Sequence, residues 1–175
     1  MQISGLDAPG DVAGAAAIRN HPGVNAVLSR KGNGAEDLNA VAALVGTKPL
    51  WAMMETALGV VHAGQIAAHV RLEGMVMGTN HLGRKLRARD RADRTPMLPG
   101  LGVCLLAARA QRRIIVDGVC DAFRDDVRLA AQCAQGRDPG VDGKTLIRAA
   151  QPAIVNRAFG PDAKDVTPRR ADCHL

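Results

Sequence analysis

The sequence predicts an α/β protein built from about six β/α units. Of its 175 residues, 47% are hydrophobic. Short apolar runs alternate with longer Ala-rich amphipathic stretches, and no low-complexity linker divides the chain. A chain of this length fits one domain around a single core. Regular alternation of this kind is typical of parallel sheets whose strands are connected by helices.

The predicted strands are runs rich in Val, Ile, Leu or Met, each near a Gly or Pro. They are almost continuously apolar, as expected for strands that are buried on both faces of a parallel sheet. In chain order they are Gln2 to Gly5, Val24 to Ser29, Pro49 to Met54, Arg71 to Met77, Arg113 to Val116 and Lys144 to Ile147.

The predicted helices lie between these strands, and several have recognisable ends. Pro99 suits a first helical turn, where its missing N–H costs nothing, and Asp125 and Asp126 place negative charge near a helix N-terminus. The helices are Asp11 to Asn20, Ala35 to Val45, Leu58 to His69, Leu98 to Ala110, Asp125 to Gln135 and Gln151 to Ala158.

This pattern leaves two architectures open. Six units suit an open doubly wound sheet or part of an eight-unit barrel, which typically takes about 250 residues. Length alone favours the open sheet. A dinucleotide-binding fold has little support, because no glycine-rich phosphate loop follows a predicted strand.

The charge and composition limit the classes of molecule that this chain is expected to bind. The formal net charge is +6, and its densest part runs from Arg84 to Arg94. A nucleic-acid partner is disfavoured, because no recognition motif accompanies the charges and only Trp51, Phe123 and Phe159 are aromatic. We interpret the cluster as a solvated helix and loop surface, although the phosphates of a ligand such as CoA would use the same charges.

The cysteines and the N-terminal residues indicate a cytoplasmic protein. The spacing of the four cysteines matches neither a zinc site nor a redox dithiol, so we expect free thiols in a reducing compartment. We expect no membrane association, because the start is unlike a signal peptide and no apolar run reaches about 18 residues. The cysteines are Cys104, Cys120, Cys133 and Cys173.

Four segments carry more specific information than the alternation of predicted strands and helices. They are WAMMETALGVVHAGQIA, MVMGTNHLGRKLRAR, IVDGVCDAFRD and DGKTLIRAAQPAIVNRAF. Their order and spacing resemble the HpcH/HpaI aldolase and citrate lyase β-subunit family, including malyl-CoA lyase-like enzymes. The resemblance runs from residue 2 to about residue 166. It implies a TIM barrel, here an incomplete one with about six of eight β/α units and without the first two. We expect a domain over residues 1–166, an irregular tail over 167–175, and a homo-oligomer.

The resemblance also implies a site. In the family, a Glu from the fifth strand and an Asp from the sixth hold Mg²⁺, and an Arg on the third strand holds the substrate carboxylate. The matching positions are Glu55, His81 and Gln2. We expect Glu55 to remain a metal ligand. Magnesium affinity should fall at His81, because imidazole suits softer ions, and manganese is the first alternative. Gln2 lacks the charged fork that grips a carboxylate.

The implied activity is magnesium-dependent carbon–carbon cleavage of a 3-hydroxyacyl-CoA such as malyl-CoA or citryl-CoA. Its partners would be a CoA thioester and a small oxo acid. The sequence identifies no general base and does not separate a lyase from a related thioesterase. Two alternatives stay open: a catalytically impaired family member without turnover, and a basic nucleic-acid-binding module. Lys144 could face a phosphate or a solvated rim, and we favour the rim.

Overall fold

Six parallel strands form one sheet in the computed structural model, which describes residues 1–3, 9–30 and 32–161. Each strand pairs with the next along the chain, as in a TIM barrel. Within these residues, no pairing joins the first strand to the last. The strands are β1 (Gln2–Ile3), β2 (Val27–Ser29), β3 (Leu50–Met54), β4 (Leu72–Met77), β5 (Ile114–Asp117) and β6 (Gly143–Lys144).

Helices connect successive strands, as the alternation predicts. They are α1 (Pro9–Ile18), α2 (Ala35–Leu44), α3 (Ala57–Val61), α4 (Ala63–Ala67), α5 (Thr79–Lys85), α6 (Leu98–Ala110), α7 (Asp126–Arg137) and α8 (Pro152–Phe159), with a 3₁₀ turn at Thr95–Met97 before α6.

Three details of the prediction are wrong. The helix expected over Leu58 to His69 is interrupted at His62, whose ring Nδ1 lies 2.8 Å from the Asn33 carbonyl oxygen and ties the crossover to the loop after β2. The short helix α5 was not expected. The last strand ends at Lys144, because the backbone N–H of Ile147 already donates to the Gln151 side chain at the start of α8.

The core lies between the sheet and the helices that cover it. Alternate residues of β3 are fully buried, and Met75, Met77 and Ile115 continue this apolar layer across β4 and β5. A smaller apolar cluster lies under α7 and α8, around Leu129 and Val155. Aliphatic and methionine side chains therefore supply most of the packing.

The described cysteines are buried free thiols, as expected. Burial raises the pKa of the Cys104 thiol to about 12 and also raises that of Cys133. Cys173, the boundary at residue 166 and the predicted tail 167–175 lie outside the described residues. In the part of the chain that the structure describes, no helix has the length and apolar character that crossing a membrane would require.

His69 connects the segment before β4 to helix α2. Its Nδ1 accepts from the backbone N–H of Arg71 at 3.2 Å, and its Nε2 lies 3.1 Å from the Asn39 side-chain oxygen. These contacts suit a neutral ring with its proton on Nε2. Burial is the largest cause that lowers the pKa of His69, followed by the charges of Arg71 and Arg113.

We predict that protonation linked to His69 destabilises the fold in mild acid. The lowered pKa means that the unfolded chain binds the proton more readily, so stability falls as pH drops through 6.5 towards the lower folded value. One proton limits this slope to about 1.4 kcal/mol per pH unit. Urea unfolding between pH 5.5 and 7.5 should show a flatter dependence in His69→Gln than in the wild type. His21→Gln, which removes an exposed imidazole, should keep the wild-type slope. An unchanged slope in His69→Gln would contradict the assignment.

Candidate active site

Three functional side chains converge at the carboxyl end of the sheet. Arg30 directly follows β2, Glu55 directly follows β3, and His81 lies in the first turn of α5 after β4. Parallel strands end at the same edge, so consecutive β/α units bring these residues together although 51 positions separate the first from the last. Active sites of barrel proteins lie at this edge.

The three side chains form a triangle of loose polar contacts. The Oε2 atom of Glu55 lies 3.5 Å from the Arg30 Nη2 and 3.4 Å from the His81 Nδ1, and Arg30 Nη2 lies 3.4 Å from His81 Nε2. One tautomer of the ring satisfies both of its contacts, with Nδ1–H donating to Glu55 and Nε2 accepting from Arg30. Distances of this length are longer than those of strong hydrogen bonds. The contacts among these three side chains are therefore weak.

Burial and close packing hold Glu55 at this position. Its side chain is only 4% exposed. Gly78, at the end of β4, packs directly against it, and a Cβ added there would lie 2.5 Å from the Glu55 Cβ. The backbone N–H of Gly78 also donates to the Met54 carbonyl. A residue without a side chain is therefore required between β4 and α5 if Glu55 is to keep its place.

Residues directly after β3 contact the loop that follows β2. The Thr56 hydroxyl donates to the Asn33 side-chain oxygen at 2.8 Å and accepts from the backbone N–H of Gly59 at 2.9 Å. Gly59 lets this loop approach closely, because a Cβ there would lie 2.7 Å from the Gly32 carbonyl oxygen. These contacts fix Gly32 and Asn33 beside the start of α3.

The residues present do not fit the magnesium site that the resemblance implies. At the two metal positions they offer one carboxylate and one imidazole, and the Arg30 guanidinium places positive charge beside that carboxylate. Mg²⁺ requires a near-octahedral shell of hard oxygen ligands. Across residues 1–3, 9–30 and 32–161, no cluster of three His, Cys, Asp or Glu side chains could hold a metal ion.

Two of the three predicted site residues are in contact, and the position of the third side chain is not described. Glu55 and His81 are adjacent, as the resemblance implies. The backbone of Gln2 lies in β1 and pairs with Leu28, but its side chain is outside the described part of the structure. Sequence reasoning missed Arg30. The signal was available, because a cation directly after an apolar run marks the end of a predicted strand. The Nε of Arg30 is buried without a hydrogen-bond partner.

The interpretation of Lys144 as a rim residue is wrong. Its side chain is fully buried, and its Nζ donates to Asp117 Oδ2 at 2.8 Å and to the Gly118 carbonyl at 2.6 Å. Arg94 donates to the same carboxylate oxygen at 2.7 Å. Asp117 therefore pairs with two buried cations through one carboxylate oxygen, a pairing that the sequence could not reveal because the partners lie 23 and 27 residues away.

The family model for HpcH/HpaI aldolase/citrate lyase matches residues 14–149 of this chain. The chain belongs to that family. A (3S)-malyl-CoA thioesterase of Cereibacter sphaeroides is 58% identical over 142 residues, which cover 81% of this chain and 50% of the relative. The chain thus spans about half the length of the curated relatives it matches. This confirms the family that the four sequence segments indicate.

Solved structures of HpcH/HpaI family members have the same architecture. The citrate lyase β subunit of Mycobacterium tuberculosis, complexed with oxaloacetate and magnesium, is 25% identical with a TM-score of 0.81, covering 91% of this chain and 72% of that one. Protein CitE of the same organism, with magnesium, acetoacetate and coenzyme A, is 24% identical with a TM-score of 0.83, covering 98% and 64%. The predicted α/β fold, six units of an incomplete TIM barrel, is confirmed.

Proposed function

We propose that this chain acts on a CoA thioester of the malyl-CoA class and that the Glu55–His81 pair hydrolyses its thioester bond. The observation that carries the proposal is the carboxylate–imidazole pair at the carboxyl end of the sheet, 3.4 Å between Oε2 and Nδ1. A buried carboxylate that orients one ring nitrogen leaves the other to act as a base. The thioesterase relative supports the substrate class.

In this mechanism each described residue has a separate task. Glu55 holds the His81 ring by accepting from Nδ1–H, and His81 Nε2 takes a proton from water as the water oxygen attacks the thioester carbonyl carbon. The carbon–sulfur bond then breaks, and the proton passes to the departing CoA sulfur, which yields the free acid and CoA. Arg30 supplies the positive charge for the substrate carboxylate, a role that Gln2 lacks the charge to perform.

Carbon–carbon cleavage, the reaction predicted from the sequence, is the second candidate. Its support is the family membership and the solved neighbours that contain magnesium with oxaloacetate or with CoA. Its weakness is the pair of donors at Glu55 and His81, which suits Mg²⁺ poorly. The same weakness favours the inactive alternative over a magnesium-dependent lyase. Manganese use, cytoplasmic location and homo-oligomer formation stay predictions.

Product analysis with malyl-CoA separates these candidates. Hydrolysis releases malate and CoA, whereas carbon–carbon cleavage releases glyoxylate and acetyl-CoA. We expect malate and CoA in the presence of a chelator, with kcat/KM at least about 100-fold lower in Glu55→Gln, since positioned acid–base groups contribute about 10²–10⁴-fold. Glu36→Gln, which neutralises an exposed glutamate on α2, should retain wild-type turnover.

Other products, or none, would assign a different activity to this chain. Glyoxylate formed only with added metal would replace hydrolysis by the lyase reaction. No product under any condition would support the inactive alternative, and hydrolysis that survives Glu55→Gln would remove the pair from the mechanism.

A further inference from the structure

Asn33 and Gly34 form the one Asn-Gly pair of the sequence, in the loop between β2 and α2. Asn33 is exposed, but both of its oxygens make contacts with the next β/α unit. Its side-chain oxygen accepts from the Thr56 hydroxyl at 2.8 Å, and its main-chain carbonyl oxygen lies 2.8 Å from the His62 Nδ1. Asn33 therefore ties the loop after β2 to α3.

The main-chain nitrogen of Gly34 is free of hydrogen bonds. Its N–H has no acceptor among residues 1–3, 9–30 and 32–161, whereas the N–H of Asn33 donates to Asp37 Oδ2 at 2.7 Å. The surroundings of Gly34 are open, because a Cβ added there would meet nothing within 4 Å. Neither a hydrogen bond nor a neighbouring group therefore holds this nitrogen away from the Asn33 side chain.

The side-chain carbonyl of Asn33 is polarised by Thr56. The Thr56 hydroxyl donates to the Asn33 Oδ1, and its own position is fixed because it accepts from the backbone N–H of Gly59 at 2.9 Å. A donor aimed at a carbonyl oxygen stabilises the negative charge that develops there when a nucleophile adds to the carbon. The fold thus places an unbonded nitrogen beside an activated amide carbon.

We infer that Asn33 is a site of spontaneous covalent modification, at which its side-chain amide becomes a carboxylate through a cyclic imide. The Gly34 nitrogen gives its proton to solvent and forms a bond to the Asn33 Cγ. The bond from Cγ to Nδ2 then breaks, and ammonia leaves after taking up a proton from solvent. Water opens the ring at either carbonyl, which yields aspartate or isoaspartate.

The modification should release the loop after β2. In isoaspartate, the former side-chain carbonyl of residue 33 joins the main chain, and the former main-chain carbonyl becomes a free carboxylate. The oxygens that face Thr56 and His62 are both displaced, and the main chain of the loop becomes one carbon longer. Loss of two hydrogen bonds should lower the thermal midpoint of the modified chain by about 4–8 °C.

Peptide mapping by mass spectrometry, after incubation of the whole folded chain at neutral pH, measures amide loss at each asparagine. Asn39 and Asn156 are internal references, because both are exposed but lie in helices, before residues that carry side chains. We expect Asn33 to lose its amide at least about tenfold faster than either reference, which corresponds to a barrier lower by about 1.4 kcal/mol.

Gly34→Ala is the matched variant. The open space accepts the added methyl group, and the φ of −167° at this position is extended backbone that alanine adopts, so the fold should be unchanged. The methyl group restricts the approach of the nitrogen, so the Asn33 amide should be lost at least about tenfold more slowly.

Two variants at position 56 test the polarising hydroxyl. Thr56→Val removes it and should slow amide loss at Asn33 about threefold or more. This effect is smaller than at a buried oxyanion site, because water can replace the donor. Thr56→Ser keeps the hydroxyl and should retain the wild-type rate.

Equal rates at Asn33 and Asn39 would overturn the inference, as would equal rates in the wild type and Gly34→Ala. Slower amide loss at Asn33 in the folded chain than in urea would also overturn it, because the fold would then protect this residue. The isoaspartate form carries an additional negative charge and can be separated by ion exchange. If it melts together with the unmodified chain, the release of the loop is refuted.

Discussion

Asp117→Asn should destabilise the fold by about 3–5 kcal/mol, the range found when one partner of a buried ionic group is removed. Asp117 is fully buried, and its Oδ2 accepts from Arg94 at 2.7 Å and Lys144 at 2.8 Å while its Oδ1 accepts from the Gly118 N–H at 2.7 Å. Without the carboxylate, two cations stay buried with no counter-charge. Urea unfolding monitored by circular dichroism measures the loss.

A second substitution identifies the cause. Lys144→Met removes one of the two cations and keeps much of the volume, so Asp117→Asn/Lys144→Met should be more stable than Asp117→Asn alone, a non-additive result typical of direct contacts. Asp90→Asn is the surface control, because Asp90 is 96% exposed and lies 3.7 Å from Arg128. Its effect should stay below about 0.5 kcal/mol. A double variant that is less stable than Asp117→Asn would contradict the explanation.

The deficit should also depend on pH. Burial is the largest cause that lowers the pKa of Lys144, and the Asp117 charge opposes it. With the folded pKa below the unfolded one, the unfolded chain binds more protons between the two values, so the contribution of this group to stability rises with pH. Removing Asp117 lowers the folded pKa further. The destabilisation of Asp117→Asn should therefore be smaller at pH 9 than at pH 7.

The strands were predictable because each is an apolar run with a clear boundary. Burial on both faces requires continuous hydrophobicity, and this signal located the start of each of the six strands to within a few residues. The signal failed for α5, whose seven residues are mostly polar and basic and carry no apolar period. It also failed at β6, where a side-chain contact to Gln151 decides where the strand ends. Short elements depend on tertiary contacts more than on local pattern.

The site was predictable only in part, for a related reason. Family resemblance located Glu55 and His81, and strand ends explain why they face the same edge. No sequence pattern gives the contact of Arg30 with both, or the burial of Lys144, because each depends on partners from other β/α units. A charged residue in a sequence indicates a solvated surface by default, and only its neighbours in space show whether its charge is balanced in the interior.

His81→Asp should convert the Glu55 site into a magnesium site. Two carboxylates from adjacent strand ends would supply the hard oxygen ligands that Mg²⁺ prefers. The added negative charge would also offset the positive charge of Arg30. If Mg²⁺ at 100 times its Kd binds only the folded state, stability rises by about 2.7 kcal/mol. For a chain of this size the thermal midpoint should then rise by about 5–10 °C. A thermal melt with and without 10 mM Mg²⁺, on the order of 100 Kd for a site of ordinary strength, measures the shift.

Matched variants separate a created metal site from a general charge effect. His21→Asp adds the same charge at an exposed position away from the site and should show no magnesium-dependent shift. Glu55→Gln/His81→Asp keeps the new carboxylate but loses its partner, so the shift should disappear.

His81→Asp alone also removes the imidazole that the proposed hydrolysis requires, so this variant should lose metal-independent release of CoA as it gains magnesium binding. A variant that gains no magnesium response would show that Glu55 and position 81 are not arranged to share a metal, whereas one that gains magnesium and keeps metal-independent hydrolysis would remove His81 as the base. Opposite changes in the two properties would mean that the residue at position 81 decides which of two chemistries this edge of the sheet supports.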